Sequence, residues 1–348
     1  MSALALAAPA PAASAATARV AVLGTGTVGG ALLDRLQRQR GGTNVALVAI
    51  ANSRVARFGP LASHADAAGD DDPADAAVRA LGHDGLRIIV DATPSDAVAA
   101  RHAPWLDAGI HVVTACKLGQ GAQLSRWQAI RDARLRTGAC YGDSATVGAG
   151  LPLLRSLRAL RAVGDRIHAF AGVLSGSLAW LLDAQRRTAR PFASLLQDAA
   201  ARGFTEPDPG EDLGGEDVRR KLLILARAAG FALAHDAVRV EPVPLAAMDQ
   251  RGRDARAARR RLAYVARFAC AGDGRLDAGA RLEALADDDP LSVGGGTDNR
   301  LAIWCDRYPG QPLLLQGPGA GAGVTAAALL DDVLHIVRSA ADPSAVPA

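Results

Sequence analysis

The sequence predicts an α/β protein in two parts. An open, doubly wound parallel sheet is completed by the C-terminal end of the chain, and an α+β domain is inserted before that return. Three observations carry this reading. Short apolar runs at 19–23 (RVAVL), 45–50 (VALVAI), 87–91 (RIIVD) and 110–114 (IHVVT) are separated by longer connections. Strands buried on both faces read as such continuous runs. The pattern then changes: 166–174 (RIHAFAGVL) alternates like a half-buried strand, and stripes through Trp180, Leu181 and Leu182, then Phe192, Leu195 and Leu196, read as core helices. Finally, a Gly-rich turn at 317–325 (GPGAGAGVT) precedes a helical pattern through Leu329, Leu330, Val333 and Ile336, which points to a chain that comes back to its first domain.

At 348 residues the chain is longer than one core usually grows, and it suits two domains. The expected boundaries are a disordered Ala/Pro leader over 1–17, a sheet domain over 18–146 and 306–342, and an inserted domain over 147–305. The leader lacks the basic start and long apolar run of a signal peptide. A net charge of +3 is too mild to imply a polyanionic partner, and no run of 18 apolar residues exists to span a membrane. Four cysteines (Cys116, Cys140, Cys270, Cys305) show no CxxC spacing and read as reduced thiols of a cytoplasmic protein. The seven histidines show no metal-ligand spacing. Seven arginines crowd residues 251–267 around Tyr264. Their spacing reads as a solvated helix face rather than a nucleic-acid patch.

Taken in order, the first apolar run leads into Gly24, Thr25, Gly26, Thr27, Val28 and Gly29, then a helix through Leu32, Leu33 and Leu36. This is G-x-G-x-x-G between a strand and a helix. The first glycine allows the tight turn, the second lets backbone approach a pyrophosphate, and the third lets helix pack on strand, a Rossmann-like dinucleotide fingerprint. The helix N-terminus then offers free N–H groups to phosphate. The second run ends in Ala51, Asn52, Ser53 and Arg54, with Arg57 close behind. No acid is there to take a ribose 2′-hydroxyl, and the two arginines suit a 2′-phosphate, so NADP is expected over NAD; both arginines as solvated helix residues is the alternative. Residues 59–84 read as a polar connection, with 70–72 (DDD) a solvated face. Thr93 follows the third strand and Lys117 the fourth, at the strand ends that line a ligand crevice. One helix is expected over 97–108.

The stretch 203–230 (GFTEPDPGEDLGGEDVRRKLLILARAAG) concentrates the chemistry. Glu206, Asp208, Glu211, Asp212, Glu216 and Asp217 crowd a Pro- and Gly-rich loop that opens a helix carrying Lys221. Asp217 and Lys221 are four apart and share a helix face. Lys117 and Lys221 are the only lysines, against 37 arginines. An amine loses its proton on burial far more readily than a guanidinium, so two lysines kept in an arginine-rich chain are candidates for proton chemistry.

Together these stretches resemble the homoserine dehydrogenase family. The match runs from Arg19 to Val337 and includes GTGTVG, the TACK segment, TVGAGLP, GVLSGSLAWLL, the 203–227 segment, TDNRLAIWCDRY and GPGAGAGVTA. The resemblance implies reversible NAD(P)-dependent reduction of aspartate 4-semialdehyde to homoserine, by a monofunctional short form acting as a homodimer. It implies Lys221 as proton donor to the carbonyl, assisted by Lys117. It also implies Glu206, Asp217, Asp212 and Ser175 around the amino-acid substrate, and Gly203 and Gly321 approaching the cofactor with backbone. An acidic loop is the natural counter-charge for the substrate's ammonium group. There are two departures. The family's TANK reads TACK, with Cys116 in place of an amide. The family's monovalent-cation (Na+) site has an acid aligned with Ser144, beside carbonyls aligned with Val147, Ala149 and Leu151; Ser144 is not acidic, although Asp143 is adjacent. Two other readings stay open at this point: a different Rossmann amino-acid or semialdehyde dehydrogenase, such as an aspartate dehydrogenase-like enzyme, and a non-catalytic nucleotide-sensing protein.

Overall fold

A computed structural model describes residues 17–39, 43–59, 72–203 and 209–341. Its first sheet contains β1 (Ala18–Leu23), β2 (Val45–Ala51), β3 (Ala56–Phe58), β4 (Arg87–Asp91), β5 (His111–Thr114) and β6 (Tyr141–Gly142), in the spatial order β3-β2-β1-β4-β5-β6. All neighbours are parallel except β2 and β3, which form an antiparallel pair. Helices α1 (Thr27–Arg38), α2 (Pro73–Ala80), α3 (Asp96–Ala99), α4 (His102–Asp107) and α5 (Leu124–Thr137) belong to this half. The strands are apolar on both sides because both sides are covered. In β1, Val20 and Val22 face a core shared with Leu32 of α1, while Ala21 and Leu23 face Leu106 of α4 and Ile130 of α5. That split is the period-2 alternation of a strand.

The second sheet orders β12 (Leu313–Pro318), β11 (Asp298–Cys305), β7 (Ile167–Val173), β9 (Arg261–Cys270), β10 (Leu276–Leu285) and β8 (Arg239–Val240), antiparallel apart from the β8–β10 edge. Helices α6 (Leu153–Ala162), α7 (Gly176–Thr188), α8 (Phe192–Ala201), α9 (Pro209–Gly214), α10 (Glu216–Ala228) and α11 (Met248–Ala257) accompany it. Their largest core joins Leu157, Leu181, Leu195, Leu222 and Leu225 to Phe170 and Phe268, whose rings stack at 4.9 Å between centroids.

The last helix, α12 (Ala322–Ala341), lies on the first sheet: Leu329, Val333 and Ile336 share a core with Val20, Ile88, Val90 and Val113. The return therefore begins after Pro318 and not at residue 306, because β12 still pairs with β11. Other expectations need correction. The single helix over 97–108 is two short ones broken at Ala100–Arg101, ahead of Pro104, which has no N–H to give and restrains the residue before it. Asp72 is exposed, as a solvated face requires, and its carboxylate also caps α2 through the Ala74 and Asp75 N–H groups and forks onto Arg101. Asp70 and Asp71 lie outside the described residues. The arginine cluster is split between α11 and β9, with Arg259 at φ 51 between them, so it forms no continuous helix face. Before α10, the Pro- and Gly-rich loop contains α9, with Pro209 as its first residue, where a missing N–H costs no helical bond.

Candidate active site

The glycine turn is built as the fingerprint requires. Gly24 sits at φ 96, and a Cβ there would lie 2.8 Å from the carbonyl oxygen of Ala92. A Cβ on Gly29 would stand 1.9 Å from the carbonyl oxygen of Gly24, so only glycine lets α1 close onto the strand. Gly26, at the N-cap of α1, has nothing within 4 Å of its Cβ position. Its missing side chain leaves open space, which is what a closely approaching phosphate needs. Gly24, Thr25, Gly26, Asn52 and Thr93 line one crevice of about 530 Å³ with Ser53, Ser95 and Arg101. Asn52 ties the two sides of it. Its amide donates to Thr25 Oγ1 at 3.3 Å, and its carbonyl accepts the N–H groups of Arg54 and Val55 at 2.9 and 3.0 Å. Thr27, Val28 and Gly29 open α1 behind the turn. Arg54, Lys117, Gly203 and Gly321 are not part of this crevice wall; Gly203 (φ 68) follows α8 and Gly321 (φ 129) precedes α12.

The two lysines converge on one carboxylate. Asp217 and Lys221 lie one turn apart on α10, with Lys221 Nζ 2.7 Å from Asp217 Oδ2. Lys117, delivered from the other half of the molecule by the turn after β5, places its Nζ 3.3 Å from Oδ1 of the same residue. Lys221 Nζ also donates to the carbonyl of Leu174, at the end of β7, at 2.8 Å. Burial opposes the charge on Asp217, but the ammonium groups of Lys221 and Lys117 outweigh it and hold the carboxyl well below the usual range. Ser175, the next residue after Leu174, is buried and caps α7, accepting the Leu178 N–H at 3.2 Å. Glu206 lies outside the described residues, as does the side chain of Asp212, which belongs to α9.

Beneath both walls runs a buried network that sequence reasoning missed. Asp91, at the end of β4, accepts from Thr93 N–H and Oγ1 at 2.9 and 2.7 Å, and lies 3.0 Å from His102 Nε2. His102 Nδ1 is 2.9 Å from the Tyr141 hydroxyl. Burial, with the charges of Asp143 and Asp91, pushes the Tyr141 phenol well up, so it keeps its proton. This network holds the Thr93 turn. It also abuts the lysine turn: a Cβ on Gly119 would meet the Tyr141 hydroxyl at 2.2 Å. A carboxylate closing an apolar run at a strand's C-terminal end was the available signal for Asp91. Nothing in the sequence pairs it with His102 or Tyr141. At the TACK departure, Cys116 is buried, and burial followed by the Asp91 charge pushes its thiol up to about 12, so it contributes a neutral small side chain.

The residues at the implied cation site do not fit a monovalent cation. Ser144 donates its hydroxyl to Asp332 Oδ1 at 2.9 Å and its N–H to Oδ2 at 2.9 Å, while Arg155 Nε approaches the same hydroxyl at 3.2 Å. Asp143 is forked onto Arg158 at 2.6 and 2.7 Å. Leu151's carbonyl accepts the Leu153 N–H at 2.8 Å. The carboxylates of Asp332 and Asp143 are already answered by the guanidinium groups of Arg155 and Arg158, which leaves neither free to neutralise a further cation. Among the described residues no group of three His, Cys, Asp or Glu side chains is placed to hold a metal, and no helix is long and apolar enough to cross a membrane.

Comparison with known families agrees with this arrangement. Residues 152–334 match the family model for homoserine dehydrogenase, and residues 24–141 match that for the homoserine dehydrogenase NAD binding domain. The chain belongs to the homoserine dehydrogenase family. The bifunctional aspartokinase/homoserine dehydrogenase 2 of Escherichia coli (strain K12) is 37% identical over 280 residues, covering 75% of this chain and 34% of that protein. The chain thus spans about a third of the length of that relative. The homoserine dehydrogenase of Emericella nidulans is 29% identical over 362 residues, covering 92% of this chain and 98% of its own. A hyperthermophilic archaeal homoserine dehydrogenase solved in complex with NADPH superposes with a TM-score of 0.75 at 20% identity, covering 92% of this chain and 98% of that one, and so shares the family's fold.

Proposed function

We propose that the chain catalyses the reversible NAD(P)-dependent reduction of L-aspartate 4-semialdehyde to L-homoserine, with NADP the preferred form. The observation that carries this is the convergence of the only two lysines on Asp217, from opposite halves of the molecule. The dinucleotide, when bound, supplies the hydride for the aldehyde carbon or accepts it in reverse. Lys221 serves the oxygen of that carbon. An ammonium group has three protons to donate; Asp217 and the Leu174 carbonyl take two, and the third is available to the substrate oxygen. The developing alkoxide takes this proton during reduction, and the neutral amine receives it back during oxidation. Lys117 stands on the other side of Asp217 and adds positive charge where the oxygen becomes negative. Asp217 stays ionised and keeps both amines in register. Glu206 and Asp217 complete the reading as the groups that bind the substrate's ammonium and hydroxyl end, supported by Asp212, with Ser175 a further substrate-binding residue. The Asn52 turn, without an acid, and the neighbouring Arg54 support a 2′-phosphate. The protein acts on this small molecule as a cytoplasmic homodimer; its four cysteines, all unpaired, agree with a reducing compartment.

The test is homoserine oxidation followed at 340 nm, with NADP and then NAD, on the wild type and on Lys221→Ala. Homoserine-dependent reduction that disappears in the variant supports the reading, and the two rates give the cofactor preference. Cofactor binding without turnover in the wild type would move the assignment to another amino-acid or semialdehyde substrate.

A further inference from the structure

Arg227, the one arginine of α10 that follows Lys221, is only 3% exposed within the run Leu222–Ala228 that is otherwise apolar. No carboxylate pairs with it among the described residues. Its guanidinium spends its donors on main-chain carbonyls: Nε and Nη2 reach Leu233 at 3.3 and 2.9 Å, and Nη1 reaches Gln120. The indole of Trp127 lies 5.8 Å from it. Burial pulls this guanidinium down to about 10, the mark of a desolvated cation without a counter-charge. An apolar side chain would fill the same place without that desolvation. What the guanidinium does, and a leucine could not, is grip a carbonyl in the other half of the molecule.

Gln120 belongs to the turn that carries Lys117. Within the turn, Gly121 N–H donates to the Lys117 carbonyl at 2.6 Å. A Cβ on Gly121 would lie 2.9 Å from the carbonyl of Arg220, so this turn rides directly on α10. From beneath, Gly119 rests on Tyr141 and His102. The same helix therefore holds Asp217 and Lys221 at its start and grips the Lys117 turn from its end. We infer that Arg227 is a positioning residue that sets the place of Lys117 against Asp217 by holding the Gln120 carbonyl. The inference rests on the proposed function for its kinetic consequence, and on geometry alone for its structural one.

The chain's two lysines make the test direct. Protein labelled with [13Cε]lysine gives two side-chain signals, assigned with Lys117→Met and Lys221→Met. In Arg227→Met the Lys117 signal and its titration midpoint should move while those of Lys221, still tied to Asp217 and Leu174, stay. Homoserine oxidation should lose ~10- to 100-fold in kcat, the cost of a misplacement of about 1 Å, with KM for the dinucleotide unchanged. Arg227→Lys, which offers one point of attachment in place of a fork, should fall between the two and serves alone if the Met variant does not fold. A Lys117 signal that stays put in a folded variant, or one that moves together with Lys221, overturns the inference. A wild type without homoserine turnover would instead remove the proposed function, and the lysine spectra would still decide the role of Arg227.

Discussion

Lys117 and Lys221 stand 104 positions apart in sequence and share one carboxylate, at 3.3 and 2.7 Å from the two oxygens of Asp217. Each lysine comes from a different sheet's half of the molecule, so the cluster exists only when the two halves meet. Most of the chemistry proposed for this chain depends on that junction.

Lys221→Arg should keep cofactor binding and lose most turnover. A guanidinium can replace the ion pair with Asp217, but it cannot cycle a proton near neutral pH. Fluorescence titration with NADPH beside the 340 nm assay separates the two effects; near wild-type turnover in this variant would remove Lys221 from the proton step.

Asp217→Asn should lower kcat by roughly 100-fold or more, because two ammonium groups then face each other without the charge between them. The pH dependence has a definite sign. The folded-state carboxyl of Asp217 is depressed, so its contribution to stability is fully present above the unfolded value of about 4, and is lost as pH falls through the lower folded value. The difference in unfolding midpoint between wild type and Asp217→Asn should therefore be constant from neutral pH down to about 5 and shrink below about 4. Urea titrations at several pH values measure it, and a difference that shrinks already near pH 6 would contradict the assignment.

Two neighbouring glycines should fail in different ways. Gly29→Ala puts a methyl 1.9 Å from the Gly24 carbonyl oxygen, and should cost about 1–3 kcal/mol of stability as α1 is pushed off the strand. Gly26→Ala meets no protein atom within 4 Å, so it should fold as wild type and weaken dinucleotide binding at least about tenfold by filling the phosphate's approach. Thermal melts and NADPH titration on both variants check the contrast.

Sodium should not be required. With Ser144 engaged by Asp332 and Arg155, and Asp143 by Arg158, the melting temperature and homoserine oxidation should be the same in NaCl and in choline chloride at equal ionic strength. A sodium-specific rise in melting temperature would show that the carbonyls of Val147, Ala149 and Leu151 hold the ion without an acid at position 144.

Much of this was readable in one dimension. GTGTVG between an apolar strand and a helix leaves few alternatives: Gly24 and Gly29 answer close approaches to the Ala92 and Gly24 carbonyls, and Gly26 leaves open space at the start of α1. Asp217 and Lys221 could be paired from their spacing alone, since four residues make one helical turn. The failures were also local in origin. The break before Pro104 and the helix opening at Pro209 both turn on proline's missing N–H, which periodicity does not register.

Local spacing dictates the glycine turn, the parallel apolar strands, the helix carrying Asp217 and Lys221, and the use of lysine at two positions, so these are legible in one dimension. The contacts made across long stretches of chain arise only on folding. Asp91 meets His102, His102 meets Tyr141, Ser144 meets Asp332, Arg227 meets Gln120, and Lys117 meets Asp217. A charge or an amide is silent in sequence about its partner, because any of dozens of groups could satisfy it. Packing the two sheets against their helices leaves each of these groups only a few partners within reach, and burial makes a missing one costly.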